Sequence, residues 1–163
     1  MTDQSQQASV HTVAPMESDP GQRVWTDARL LGHEELDATH KEFYEVVFRM
    51  LTCSERTALT TLLEFEEHAQ AHFQDEEDWM QRTAFPAAQC HADEHRKVLA
   101  SLGEVKHAVT TNAADHRLVQ RFADQLFAWF PGHADYMDSA LVTWLSKKRF
   151  GAKTVVFKRI AIA

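Results

Sequence analysis

Residues 72–95 read HFQDEEDWMQRTAFPAAQCHADEH. His72 and Glu76 are four residues apart, as are His91 and His95. On a helix such positions lie nearly above one another, so each pair turns two metal-binding side chains to one side. Between the pairs, Thr83-Ala84-Phe85-Pro86 interrupts the helical pattern, and Pro86 suits the first position of a new helix. The stretch predicts two consecutive antiparallel helices, with one chelating pair late in the first and the other early in the second. Both pairs would then meet at one end of a helical core.

Helical periodicity continues on both sides of this stretch. Phe43, Val46, Val47, Met50 and Leu51 recur at three- and four-residue steps and predict a first helix from about Gly32 to Thr52. Ser54 suits the N-cap of the second helix, expected from about Glu55 to Gln81 with Leu59, Leu62, Leu63, Phe65, Phe73 and Met80 buried. The third helix is expected from Pro86 to about Val109, burying Val98, Leu99, Leu102 and Val105. Thr110, Thr111 and Asn112 make a break, and Asn112 with Asp115 resembles a capping box. The fourth helix would run from about Ala113 to Lys148 with Val119, Phe122, Leu126, Trp129, Phe130, Met137, Leu141, Val142 and Leu145 inward. Four helices of similar length with short connections predict an all-α, antiparallel up-down-up-down four-helix bundle over 24–149. Residues 1–23 are polar and read as a flexible N-terminal tail, and 150–163, basic and β-prone, as a C-terminal arm packed on the bundle.

Composition narrows the function. The chain has 163 residues, 44% hydrophobic, which is one domain with an ample core. A net charge of −7 argues against nucleic acid, since a phosphate binder needs a basic surface. Two cysteines, Cys53 and Cys90, make no disulfide framework, and no apolar run before Trp25 is long enough for a signal peptide or a membrane span. A reduced cytoplasmic protein with no membrane partner is the expectation. Only the histidine count is unusual, at ten.

A single pair four apart is weak, because ten histidines scattered at random would give about half such a pair by chance. The conjunction carries the reading: His40 on the first helix, His72 and Glu76 on the second, His91 and His95 on the third, His133 and Asp138 on the fourth. Whether His40, early in its helix, can reach His72 is open at the level of sequence. Five imidazoles and two carboxylates exceed one tetrahedral zinc but suit two six-coordinate ions bridged by the carboxylates, with iron the leading candidate. His133 and Asp138 are five apart, which leaves them roughly 140° apart on an ideal helix. Pro131-Gly132 supplies a reason for local loosening, and a kink or π-type turn is expected just before His133.

Asp37-Ala-Thr-His40, His72-Phe-Gln-Asp-Glu76-Glu77, His91-Ala-Asp-Glu-His95 and His133-Ala-Asp-Tyr-Met-Asp138 resemble the hemerythrin family over about Trp25 to Leu145. The resemblance implies two iron ions (Fe2+/Fe3+) joined by an oxo or hydroxo bridge. His91, His95 and His133 would hold one, His40 and His72 the other, and Glu76 and Asp138 would bridge. It also implies reversible dioxygen binding at a non-haem di-iron centre, for oxygen storage, delivery or sensing, rather than an enzyme. Phe73, Trp129, Phe130 and Ala134 would line the ligand pocket. Ala134 stands where family members often carry a bulky aliphatic residue, and a smaller side chain would widen the pocket. That opens an alternative: a di-iron enzyme reducing peroxide or nitric oxide. Dioxygen is the expected ligand, and an oxygen-consuming enzyme or a signalling protein the expected partner. The absence of an attached output domain favours a carrier over a dedicated chemosensory receptor. His68, one turn before His72, reads equally well as a pocket or supporting group or as a hydrogen-bonded or partly exposed histidine, and not as a ligand, and His11, His33, His107 and His116 as surface residues.

Overall fold

The computed structural model describes residues 20–150, apart from the side chains of Pro20, Gln22 and Phe150. Its helices are α1 (Glu34–Leu51), α2 (Ala58–Thr83), α3 (Ala88–Thr110), α4 (His116–His133) and α5 (Ser139–Phe150). A π-helical turn, Ala134–Asp138, joins α4 to α5, so these three segments form the fourth rod of the bundle. No strand occurs among the described residues. Contacts run α1 to α2, α2 to α3, α3 to α4 and α4 back to α1, which closes the ring expected of a four-helix bundle.

Local chemistry sets the helix ends, and several differ from the sequence expectation. The α1 start is capped by His33, whose Nδ1 accepts from Leu36 N–H at 3.4 Å, with Glu34, Glu35 and Asp37 in the first turn. Ser54 does not cap α2. Its carbonyl accepts from Thr57 and Ala58, making a turn that delays the helix to Ala58. At the other end α2 runs to Thr83 and stops on left-handed Ala84 (φ 53°), with Phe85 N–H reaching back to the Met80 carbonyl. Pro86 lies in the following turn, two residues short of α3. The Asn112–Asp115 capping box does not form: Asn112 takes a left-handed conformation (φ 55°) after α3, and Asp115 alone caps α4, accepting from Arg117 N–H at 3.0 Å.

The core follows the predicted stripes, with Leu51, Leu99, Trp129, Met137 and Leu145 half-buried and two residues exposed. Leu62, Phe65, Val47, Met50, Val119 and Phe127 are sealed, whereas Leu59 and Leu63 are 38% and 45% exposed. They sit four apart on the outer side of α2, because Ala58, Thr61, Leu62, Phe65 and Ala69 take the inward stripe. Of the tail expected over 1–23, residues 20–23 form a 3-10 turn tied to α4 by an Arg23–Asp124 ion pair at 2.8 Å, and the rest lies outside the described residues. The arm expected over 150–163 also lies outside them, except for Phe150, the last residue of α5. No helix among the described residues is long and apolar enough to cross a membrane.

Candidate metal centre

All seven residues singled out from the sequence converge in one buried chamber, with His40, Glu76, His95 and Asp138 fully sealed and His72, His91 and His133 nearly so. His40 is not remote from His72: their rings are 5.3 Å apart. In an antiparallel pair the start of α1 and the end of α2 share one end of the bundle, so His40, about 9 Å into α1, meets the last turns of α2.

The turn after His133 brings Asp138 in. Expected just before His133, the loosening instead spans Ala134–Asp138, with Ser139 N–H donating to the Ala134 carbonyl five residues back. Pro131 lacks an N–H and leaves the carbonyl of Phe127 without its usual donor, and the extra residue is absorbed in the next turn. A widened turn reduces the angle between positions five apart, and His133 Nε2 and Asp138 Oδ1 come to 3.1 Å.

The two carboxylates divide the imidazoles into two groups. Glu76 turns Oε1 to His72 Nε2 at 2.6 Å and Oε2 to His91 at 2.9 Å and His95 at 3.7 Å. Asp138 turns Oδ2 to His40 at 3.2 Å and Oδ1 to His91 at 3.0 Å and His133 at 3.1 Å. Each carboxylate thus has one oxygen toward His40 and His72 and the other toward His91, His95 and His133. Two groups of donors could each hold a metal ion: Glu76, His91, His95 and His133, and His40, His72 and Glu76.

These close approaches are mostly not hydrogen bonds. Although the atoms lie at contact distance, both oxygens of Glu76 and of Asp138, and Nε2 of His40 and His72, have no partner in hydrogen-bonding geometry. Buried polar atoms are seldom left so, and atoms aimed at shared points with lone pairs inward fit a cation between them. His133 Nε2 lies 3.2 Å from His91 Nε2 and 3.1 Å from His95 Nε2. That is the edge of an octahedron whose metal–nitrogen bonds are about 2.1 Å.

Electrostatics agree. Burial and the neighbouring Asp138 push Glu76 upward, but His72 and His91 outweigh them and bring its carboxyl down to about 2. Burial likewise opposes ionisation of Asp138, yet His133, His40 and His91 hold it well below the usual carboxylate range. Burial lowers His95 to about 3, whereas at His91 the two carboxylates overcome burial and raise the imidazole to about 9. Two buried carboxylates held toward the ionised form need positive charge beside them. A metal ion would supply it and displace the His91 proton.

Aromatic packing orients the rings. Nδ1 of all five histidines lacks a hydrogen-bond partner, and at His95, His133 and His40 an aromatic ring packed against the imidazole takes the place of the usual carbonyl or carboxylate prop. Phe73 lies on His95 (3.9 Å, 8°), Trp129 on His133 (4.4 Å, 27°), and Phe130 meets His40 edge-on (4.9 Å, 90°) while stacking on Phe43 at 4.1 Å. Three of the residues expected to line a ligand pocket are therefore in contact with the histidines, and Ala134 is buried in the core next to His133.

Sequence reasoning missed two supporting residues. Asp37 accepts from Leu31 N–H (2.7 Å) and Gly32 N–H (2.9 Å), fixing the chain ahead of α1, where Gly32 has φ +84°. Its burial next to His40 in the chain was visible only as a motif position. His33, read as a surface residue, caps α1 and packs on Trp79 at 4.9 Å. His116 is half-buried as well, His107 is exposed, and His11 lies outside the described residues. His68 packs on His72 (5.6 Å) and Phe43 (6.2 Å), outside both donor groups. Cys53 is buried and Cys90 exposed.

Residues 31–145 match the family described as Hemerythrin HHE cation binding domain. The chain is 34% identical over 124 residues to a protein of Ralstonia nicotianae (strain ATCC BAA-1114 / GMI1000) named Bacteriohemerythrin, covering 76% of this chain and 89% of the relative. No solved structure matches significantly.

Proposed function

Because the chain belongs to the hemerythrin family, we propose that it binds dioxygen reversibly at a centre of two iron ions. The observation that carries the reading is the division of five imidazoles by two carboxylates, each with one oxygen toward either group. His91, His95 and His133 would hold one iron, His40 and His72 the other, and Glu76 and Asp138 would bridge. With three nitrogens against two, the iron on the His40–His72 side would be the one left with a position for an incoming ligand. When bound, the iron pair supplies the electrons on which reversible dioxygen binding depends.

The protein's own part is selective. A shell of five neutral imidazoles brings less negative charge than a carboxylate-rich shell, which disfavours the higher oxidation states and keeps binding reversible. Phe130, packed edge-on against His40, and Phe43, stacked on Phe130, keep water from the inner side of His40, which slows irreversible oxidation. Storage or delivery of oxygen to a consuming enzyme in the cytoplasm is the role this chemistry suits.

Metal analysis with optical spectra of the reduced protein tests the reading. Two irons per chain and an absorption that appears with oxygen and disappears on degassing are expected. Fewer than two irons in fully loaded protein overturns the di-iron centre. Steady turnover of peroxide or nitric oxide with a reductant, without a reversible oxygenated form, overturns the carrier in favour of an enzyme.

A further inference from the structure

Between α1 and α2 lies a groove of about 530 Å3 that opens to solvent and has His72, a member of the centre, in its wall. Glu42, Glu45, Glu67 and Asp75 also line it, and its one Lys or Arg side chain, Arg49, is engaged by Glu64 at 2.9 Å. Acidic side chains alone would be an ordinary solvated surface. What distinguishes this groove is His68, which lines it one turn before His72.

The His68 side chain is only 8% exposed, and its Nε2 is buried without any hydrogen-bond partner. Its Nδ1 lies 3.8 Å from Glu42 Oε2, beyond hydrogen-bond reach, so a small swing of Glu42 would bring the two atoms to the spacing of donors on one metal ion. The Glu42 side chain is 69% exposed and has room to swing. Neutral imidazole with carboxylate is a donor pair for first-row divalent cations.

We propose that this groove is the loading route of the metal centre, in which a divalent cation is held first by Glu42 and His68 and then passes to His72. The inference rests on the reading of the buried chamber as a metal centre. Among the described residues only two protein donors are close together, so water completes the shell and the ion is held weakly, as transit requires. The surplus of carboxylates draws cations to the mouth. His68 is positioned on the same face of α2 as His72 and in ring contact with it, so the ion moves one helical turn between them.

The test uses the full chain loaded with iron, its content first measured, and titrated with Mn2+ while unbound Mn2+ is followed by electron paramagnetic resonance. One weak Mn2+ site beyond the iron centre is expected, weakened about tenfold or more in His68→Phe and in Glu42→Gln. Iron uptake by the metal-stripped full chain should slow about tenfold in both variants, and in the unaltered chain at high salt, with the same final iron content. Absence of the extra Mn2+ site, or uptake unchanged in both variants, overturns the proposal. If His68→Phe does not fold, His68→Gln and the surface variant Glu42→Gln carry the same test. An iron content below two per chain would count against the centre itself, while the Mn2+ titration still judges the groove.

Discussion

Replacing His68 by phenylalanine should flatten the acid side of the stability profile. Burial, reinforced by His72, His40 and Arg49, lowers the His68 imidazole from 6.5 to about 4. The nearby Glu42 carboxylate is too distant and too exposed to hold a proton on the ring. A histidine lowered in the folded state stays neutral there while the unfolded chain takes up a proton. Its contribution is thus complete above the unfolded value of 6.5, is lost as the pH falls from there toward 4, and is level below that. At about 1.4 kcal/mol per pH unit the whole window is worth roughly 3 kcal/mol, of which about 2 kcal/mol falls between pH 7 and pH 5. A bound cation nearby lowers the imidazole further and leaves the sign unchanged. Phenylalanine fills a similar volume, does not titrate, and removes the unpartnered Nε2. Urea unfolding of the iron-loaded chains, followed by far-ultraviolet circular dichroism, should show the variant gaining about 2 kcal/mol on the parent between pH 7 and pH 5, with equal m values. Parallel losses in the two proteins would refute the reasoning.

Stripping the metal leaves two ionised carboxylates buried among unpartnered imidazole nitrogens. The thermal midpoint of the chelated protein should fall by about 10 °C and recover when iron is restored, and an unchanged midpoint would separate the centre from stability. Deleting Tyr136, 81% exposed, removes the extra residue of the π turn and returns the rod to regular α-helix with the phase of α5 nearly unchanged, because five residues of a π turn cover about the same angle as four of an α-helix. Buried Leu141 and Val142 should therefore stay in the core and the unfolding temperature stay close to the parent's, with Tyr136→Ala within about 0.5 kcal/mol of the parent, whereas a collapse of the deletion variant alone would refute the reading of the turn as one absorbed residue. Phe73 is 3% exposed and stacked on His95, so Phe73→Ala should cost about 3–5 kcal/mol in urea and hasten irreversible oxidation of the reduced centre, and wild-type stability would contradict its packing role.

The candidate donor set was readable because helical geometry acts locally. His72 with Glu76 and His91 with His95 share a face by spacing alone, and the apolar stripes put that face inward. The helix ends were less readable, since Ser54 and Asn112 can hydrogen-bond locally in more than one way. The structure uses Ser54 in a turn and Asn112 in a left-handed residue after α3. Leu59 and Leu63 misled for a different reason: two leucines four apart make an apolar pair, but the neighbouring Ala58–Leu62–Phe65 stripe is the one that faces the bundle.

By itself the sequence determined the four helices, most of their inward positions and the candidate donors, because these depend on residue type and on separations of three to five positions. Only the tertiary structure decided that His40 meets His72, that the widened turn falls after His133, and that each carboxylate divides its oxygens between two groups of imidazoles. Those facts depend on how four rods are set against one another and on where one extra residue is absorbed. Side-chain distances across rods follow from packing the whole core at once, which no local spacing records.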